Sequence, residues 1–149
     1  MLNPSLVFLL NLISTWYLVG LIWIVQIVHY PLFDRVGARE FEQYEADHNR
    51  LITPVVGPVM LVELASALAL IVASPAGFPR WAAWLGVGLI ATIWLSTVLI
   101  QVPCHNQLSS GFQEFAYRRL VGTNWIRTVC WSARGVLVAY FAWRMIEVS

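Results

Sequence analysis

Four long apolar runs, separated by polar connections, constrain most strongly what this 149-residue chain can fold into. They cover approximately residues 4–30, 52–73, 81–102 and 124–146. Each approaches the roughly 20 residues that an α-helix needs to cross the hydrocarbon core of a bilayer. Only 11% of the residues are charged, against about 25% in soluble domains. The sequence therefore predicts an all-α fold, an antiparallel up-down bundle of four transmembrane helices that forms one integral membrane domain over residues 1–149.

Prolines and small polar residues mark the expected helix ends. Asn3 followed by Pro4 is typical of an N-cap with proline at the first helical position. Pro31 is expected to end the first helix and Pro103 the third, because proline lacks the backbone N–H that would continue a helix. Thr123 is the candidate N-cap of the fourth helix.

The three connections differ in length and in charge. Residues 74–80 form a short link with proline and glycine, which suits an antiparallel helical hairpin. The first and third connections are longer and carry most of the charge. Both contain ring-bearing or aliphatic side chains at or near helical spacing, namely Phe41, Tyr44 and His48 in the first and Phe112, Phe115 and Leu120 in the third. This pattern predicts a short interfacial helix in each of these connections.

The distribution of arginine predicts the orientation in the membrane. All nine basic residues are Arg, and most belong to the two long connections, namely Arg35, Arg39, Arg50, Arg118 and Arg119. With four spans, these connections share one side of the membrane. By the positive-inside rule that side is cytoplasmic, and both termini lie outside an inner or plasma membrane. The partner is the lipid bilayer, whereas the net charge of +1 argues against nucleic acid, which needs a basic face.

Three histidines belong to the same end of the predicted bundle. His29 closes the first span, His48 precedes the second and His105 follows the third. They suit hydrogen bonding or helix capping at the interface. Alternatively, they provide three nitrogen ligands for Zn, Cu or Fe, which Cys104 could join as a thiolate. Haem held by His29 and His105 is a third alternative.

Two polar stripes are expected to point into the bundle, because lipid cannot satisfy their hydrogen bonds. They are Thr97, Gln101 and His105 on the third span, and Asn124, Arg127, Trp131 and Arg134 on the fourth. Trp131 either packs in the core or stacks on a planar ligand or on Arg127. Trp131 and Arg134 are therefore the candidates for contacting a cofactor.

Glu63 lies deep in the second span, where a carboxylate that faces lipid would cost several kcal/mol. Arg134 is placed at a matching depth in the fourth span. We therefore expect a contact between Glu63 and Arg134 inside the bundle, with Arg127 as the alternative partner. The pair is either an ionic lock that sets helix register or a polarised site for substrate or protons.

A segment of the second half resembles a known family. The residues concerned are Val102 to Leu108, Gly111, Leu120, Val121, Asn124, Trp125 and Arg127. Over about a third of the chain they resemble the anthrone-oxygenase-like family of small four-helix membrane proteins, although an extra residue separates Pro103 from Asn106. The resemblance implies a four-helix bundle and oxidation of an anthrone to a quinone by dioxygen. It carries a role to Asn106, Trp125 and Arg127.

Two functional hypotheses follow. The first is a membrane oxidoreductase or oxygenase that acts on a hydrophobic aromatic or quinone-like molecule, with a metal bound by His29, His48 and His105. Its candidate catalytic residues are His29, His105, Glu63, Asn106 and Arg127. The alternative is a non-enzymatic membrane module, such as a transporter subunit or an assembly partner, in which the polar cluster is structural. Assembly as a homo-oligomer is compatible with both.

Overall fold

The computed structural model describes residues 3–147, and within this range the chain is helical and contains no strand. Helix α1 covers Pro4–Ile24 and continues through a π-helical turn, Val25–His29, into a 3₁₀ helix, Tyr30–Arg35. Helix α2 covers Phe41–Val72 and α3 covers Arg80–Ser96. A second π-helical turn, Thr97–Gln101, leads into α4, Val102–Leu108, and α5 covers Glu114–Glu147.

Three helical segments are long and apolar enough to cross a membrane. They are Pro4–Arg35, Phe41–Val72 and Arg80–Leu108, which agree with the first three predicted spans. Helix α5 is longer still, but two buried arginines make it more polar. Its role as a fourth span remains a prediction.

Helix α1 begins as predicted and ends differently. The Asn3 side chain accepts hydrogen bonds from the backbone N–H groups of Ser5 and Leu6, so the N-cap is confirmed. The prediction that Pro31 ends the helical run is wrong, because the chain passes through it into the 3₁₀ helix. Proline is tolerated there because it occupies a first-turn position, where its missing N–H would be unpaired.

The two predicted interfacial helices are not separate elements. Residues 41–50 are the first turns of α2, which continues through Pro54 and Pro58. The buried residues before the prolines and those after them lie on the same face of one continuous helix. Similarly, α5 begins at Glu114, so Thr123 lies inside the helix, where its hydroxyl donates to the Arg119 carbonyl. Pro103 lies in the first turn of α4 and does not end the helical segment.

The long helices surround a layered core. Helix α1 packs against α2 and α5, and α3 packs against the same two. One apolar cluster, which includes Leu18, Met60 and Trp131, lies toward the two longer connections. A second cluster, which includes Phe8 and Phe141, lies toward the short hairpin. Between them is a layer of buried polar residues on α1, α2 and α5.

Candidate functional site

The polar layer is centred on the ion pair predicted from the sequence. Arg134 Nε donates to Glu63 Oε1 at 3.0 Å, and each of the two side chains is 1% exposed. The Thr15 hydroxyl also donates to Glu63 Oε1, and the Trp131 indole N–H donates to Oε2, both at 3.0 Å. The predicted contact is confirmed, and both oxygens of the carboxylate are occupied by donors.

The remaining donors of Arg134 are occupied too. Its Nη1 donates to the backbone carbonyl of Gly86 at 2.6 Å. Its Nη2 reaches Asn11 Oδ1 at 3.3 Å and Thr15 Oγ1 at 3.2 Å. A Cβ at Gly86 would lie 2.7 Å from Arg134 Nη1, so the glycine provides room for the guanidinium. A buried ion pair with this many partners is expected to favour one arrangement of the helices.

A cavity of about 270 Å³ lies between the polar layer and the end of the bundle that carries the longer connections. Its wall is mostly apolar and includes Leu18, Ile22, Met60 and Trp94. The hydrophilic side chains in the wall are Tyr30, His48, Asn49, Thr53, Thr97, Gln101, His105 and Arg127. A mostly apolar pocket with a few convergent polar groups is the usual form of a site for a hydrophobic small molecule.

A chain of hydrogen bonds joins α2, α4, the 3₁₀ helix and α5 at this cavity. Glu45 Oε1 lies 2.6 Å from His105 Nδ1. His105 Nε2 lies 3.0 Å from the Tyr30 hydroxyl, and Arg127 Nη2 donates to that hydroxyl at 3.4 Å. We call Glu45, His105 and Tyr30 the triad.

The two ends of this chain determine the direction of its hydrogen bonds. A carboxylate can only accept, so His105 Nδ1 carries a proton and donates to Glu45. A guanidinium can only donate, so the Tyr30 oxygen accepts from Arg127 and its O–H points to the unprotonated Nε2 of His105. The phenol is thus positioned to give its proton to His105, as the hydroxyl of a nucleophile does in other triads. In the resulting state, Arg127 faces a phenolate and Glu45 faces an imidazolium.

Glu45 differs from its acidic neighbours in the sequence in its burial and in its hydrogen bonds. It is fully buried, and its Oε1 also accepts from Asn49 Nδ2 at 3.1 Å. Its Oε2 is buried without a hydrogen-bond partner among the described residues. Leaving a buried carboxylate oxygen unpaired is costly. The negative charge of Glu45 favours a positive charge on the adjacent His105 ring.

A second set of amides holds Arg127. Its Nε and Nη2 donate to Asn124 Oδ1 at 2.8 and 2.6 Å. Asn124 Nδ2 in turn donates to Gln26 Oε1 at 2.9 Å, and Nη1 of Arg127 reaches the Thr97 hydroxyl at 3.3 Å. No acidic side chain in residues 3–147 forms a salt bridge with Arg127. It is therefore a buried cation whose partners are all neutral.

The two π-helical turns place the central residues of the site. Val25–His29 immediately precedes Tyr30, and Thr97–Gln101 immediately precedes the turn that carries His105. A π-helical turn inserts an extra residue into a helix and rotates everything that follows it. Tyr30 and His105 therefore face the cavity although their helices begin in an ordinary α-helical phase.

His29 and His48 form a second pair beside the triad. His29 Nε2 lies 2.8 Å from His48 Nδ1, and the rings of His48 and His105 are stacked with centroids 5.3 Å apart. The three histidines do come together, as predicted. However, no group of three His, Cys, Asp or Glu side chains in residues 3–147 is arranged to hold a metal ion. The metal site and the haem alternative gain no support from this geometry and remain predictions.

The structure places some of the other candidate residues inside the bundle and others away from the cavity. Both polar stripes lie inside the bundle: Asn124, Arg127, Trp131 and Arg134 are buried, and Thr97, Gln101 and His105 line the cavity. Trp131 lies beneath Arg127, whose Cζ is 5.9 Å from the ring centroid. Asn106 is exposed on α4 and does not line the cavity. Cys104 is buried in α4, where the sequence suggested a loop.

Two members of the triad are absent from the candidates chosen from the sequence. Glu45 lies four residues after Phe41 and three before His48, hence on the same helical face. An acid on that otherwise apolar face was the available signal. Tyr30 has no such signal, because the π-helical turn before it changes the phase of the helix.

Comparisons of the chain with protein-family models, curated proteins and solved structures found no match. The similarity to the anthrone-oxygenase-like family therefore remains an expectation from the sequence. The functional argument depends on the chemistry of the cavity and the triad.

Proposed function

We propose that this chain is a membrane-embedded oxidoreductase of the oxygenase type, which binds a hydrophobic aromatic ketone or phenol in the cavity and removes a proton from it. The observation that carries the proposal is the directed hydrogen-bond chain from Glu45 through His105 to Tyr30, with Arg127 at its end. Structural polar clusters usually satisfy every buried group. This one combines an unpaired carboxylate oxygen with a cation that lacks an acidic partner, beside a space that a ligand can enter.

The proposed step is a proton transfer. The substrate places its oxygen near Arg127, and a C–H or O–H proton moves to the Tyr30 oxygen as the Tyr30 proton moves to His105 Nε2. The negative charge that develops on the substrate oxygen is stabilised by Arg127, and the imidazolium is stabilised by Glu45. Positioned groups of this kind typically contribute about 10²–10⁴-fold in rate.

Dioxygen is the proposed oxidant for the second half of the reaction, as the family resemblance implies. The anthrone anion reacts with one O₂ molecule and takes back one proton, so that the whole reaction converts anthrone and O₂ into anthraquinone and water. The ring CH₂ carbon loses two hydrogens and gains one oxygen atom, and the other oxygen atom leaves with those hydrogens as water. The protein residues named above act in the deprotonation, and no further oxidant is needed for this balance.

The membrane arrangement is part of the proposal. We infer that α5 is the fourth span, so that the cavity opens toward the side that carries the longer connections. The exposed side chains of α1, such as Leu6, Ile13 and Ile24, are suited to contact with acyl chains. By the excess of arginine in these connections, that side is cytoplasmic.

The decisive experiment introduces a larger side chain into the cavity and measures anthrone binding and turnover. A Cβ at Gly57, which lines the cavity, or at Gly88, which does not, would meet no atom within 4 Å. We expect Gly57→Leu in nanodiscs to weaken anthrone binding at least tenfold and Gly88→Leu, the matched control, to leave it within about twofold. Catalysed conversion of anthrone to its enol without oxygen, and to anthraquinone with oxygen, should be lost in Gly57→Leu. Equal binding by both variants, or no catalysis by the unaltered protein, would reject the proposal.

The alternative is a non-enzymatic module stabilised by an ionic lock. The Glu63–Arg134 cluster favours it for the polar layer, because every donor and acceptor there has a protein partner. Accordingly, we now assign Glu63 and Arg134 a structural role and place the chemistry at the triad. If the triad is structural too, Tyr30→Phe will lower the thermal stability and anthrone will not bind.

A further inference from the structure

The cavity shares a wall with a second hollow at the protein surface. This groove has a volume of about 410 Å³ and lies between α2 and α1 with its π-helical turn. Exposed residues such as Ile24 and Leu51 form its rim. Its ionisable side chains are His29, Tyr44, Asp47 and His48. His48 is the ionisable residue that lines both the cavity and the groove.

We propose that His48, together with His29, carries protons between the triad and the groove. This inference rests on the proposed function, since it supplies the route by which the proton taken from the substrate leaves the protein and by which a proton returns when water is formed. Imidazole is suited to the task because one ring nitrogen can accept a proton while the other releases one. The 2.8 Å contact between His48 Nδ1 and His29 Nε2 is a direct hydrogen bond for such a transfer.

In each step of the transfer one atom gives up a proton and one unprotonated atom accepts it. The His105 imidazolium gives its Nε2 proton to a water molecule, for which the cavity has ample room. That water gives a proton to His48 Nε2 while the Nδ1 proton of His48 passes to His29 Nε2. His29 then releases its Nδ1 proton to water in the groove. One proton leaves the cavity and both rings change tautomer. The proton that returns when water is formed passes in the opposite direction and restores both tautomers.

The charges around His48 suit this role. The groups that face it are His29 and Tyr30 from the segment after α1, His105 from α4, and Glu45, Tyr44 and Asp47 on its own helix. Glu45 is already paired with His105, and no carboxylate within residues 3–147 forms an ion pair with His48 that would hold a proton there. Asp47 lines the groove, where it can receive the proton at the surface.

The test measures the rate at which a proton from solvent reaches a phenolate bound in the cavity. We would bind 4-nitrophenolate, whose absorbance reports its ionisation, to the full protein in nanodiscs, and lower the pH with a laser-released acid. In His48→Gln, at probe concentrations that saturate the cavity, we expect reprotonation of the bound phenolate to slow at least tenfold. Imidazole added to the buffer should restore the rate. Glu42→Gln, on an exposed face of α2, is the control and should match wild type.

The outcomes separate the two proposals. If 4-nitrophenolate binds and His48→Gln leaves the rate of reprotonation unchanged, the histidine route is wrong and the proposed function stands. Failure of the probe to bind the wild type, or binding that Gly57→Leu does not weaken, rejects the proposed function itself. As a second measurement, ¹⁵N-histidine NMR should show a coupling across the His29–His48 hydrogen bond in the protein without probe. Absence of that coupling, with each ring in an independent tautomer, would also overturn the route.

Discussion

Arg127 and Arg134 lie two turns apart on the buried face of α5 and meet different surroundings. Arg134 is paired with Glu63 and donates to three further acceptors, Gly86 O, Asn11 Oδ1 and Thr15 Oγ1. Arg127 is surrounded by amides and hydroxyls. Arg134 therefore belongs to a compensated ion pair, whereas Arg127 is the arginine that we propose to contact the substrate, and only their partners distinguish them.

We predict that substitutions at Glu63 and Arg134 have strongly coupled effects on the free energy of unfolding. Glu63→Gln and Arg134→Gln should each destabilise the protein by about 3–5 kcal/mol, because each leaves an uncompensated buried charge. The double variant should lose much less than the sum of the two. The measurement is thermal unfolding in detergent.

The exposed pair Glu114 and Arg118 provides the matched control. Their side chains are 57% and 78% exposed and also form an ion pair, yet exposed pairs contribute only about 0–1 kcal/mol. Neutralising either residue should hardly change the unfolding temperature. Strictly additive losses at Glu63 and Arg134 would contradict the coupling.

At Tyr30 we predict a loss of catalysis with the cavity left intact. Tyr30→Phe removes the hydroxyl between His105 and Arg127 and preserves the ring. Anthrone binding should change by less than about threefold. Anaerobic formation of the enol should fall by about 10²-fold or more, as expected for the loss of a general acid–base group. Unchanged formation of the enol would remove Tyr30 from the mechanism.

On the scale of the helical elements, the two π-helical turns determine what faces the cavity. Each inserts one residue beyond the α-helical repeat, which rotates the following segment by about 100°. Each turn has an outward-facing residue near its middle, since Ile27 is 55% and Leu99 64% exposed. A sequence pattern read with a constant helical period is out of phase after each turn.

Deleting Ile27 should restore the α-helical repeat and turn Tyr30 away from His105. We expect this variant to fold, since an exposed apolar residue is lost, and to lose enol formation as completely as Tyr30→Phe. Deletion of Leu99 should act in the same way on His105. Ile27→Ala and Leu99→Ala keep the chain length and are expected to remain active. Activity in the deletion variants would show that the turns do not position the site.

For the whole molecule, the arrangement in the bilayer follows from the number of spans. Three segments are long and apolar enough to cross, and with α5 as a fourth both termini lie on the same side. Lipid then surrounds a bundle whose polar groups face inward, which is required where no water can satisfy them. In this arrangement we expect the triad to lie near one membrane surface and the ion pair nearer the middle.

Single cysteines test this topology in intact cells. In a variant that lacks Cys104 and Cys130, we expect Ala76→Cys, in the short hairpin, to react with a membrane-impermeant maleimide from outside. Ser110→Cys, in the third connection, should react only after the membrane is opened. Both positions are exposed. Labelling of both from the same side would contradict the segment Arg80–Leu108 as a span. Glu147→Cys, at the exposed end of α5, should react from outside, and its reaction only after the membrane is opened would contradict α5 as a fourth span.

The apolar runs of the sequence determined the helices and their burial of polar stripes, because hydrophobicity and helical period are local properties. They also predicted the pairing of Glu63 with Arg134, since a charge that deep needs a partner. Only the tertiary structure decided that α2 and α5 extend beyond their apolar runs, that Asn106 faces outward, and that Glu45, His105 and Tyr30 meet. Those contacts join residues far apart in the chain and depend on two π-helical turns. A π-helical turn produces no periodic pattern of residues from which it could be predicted.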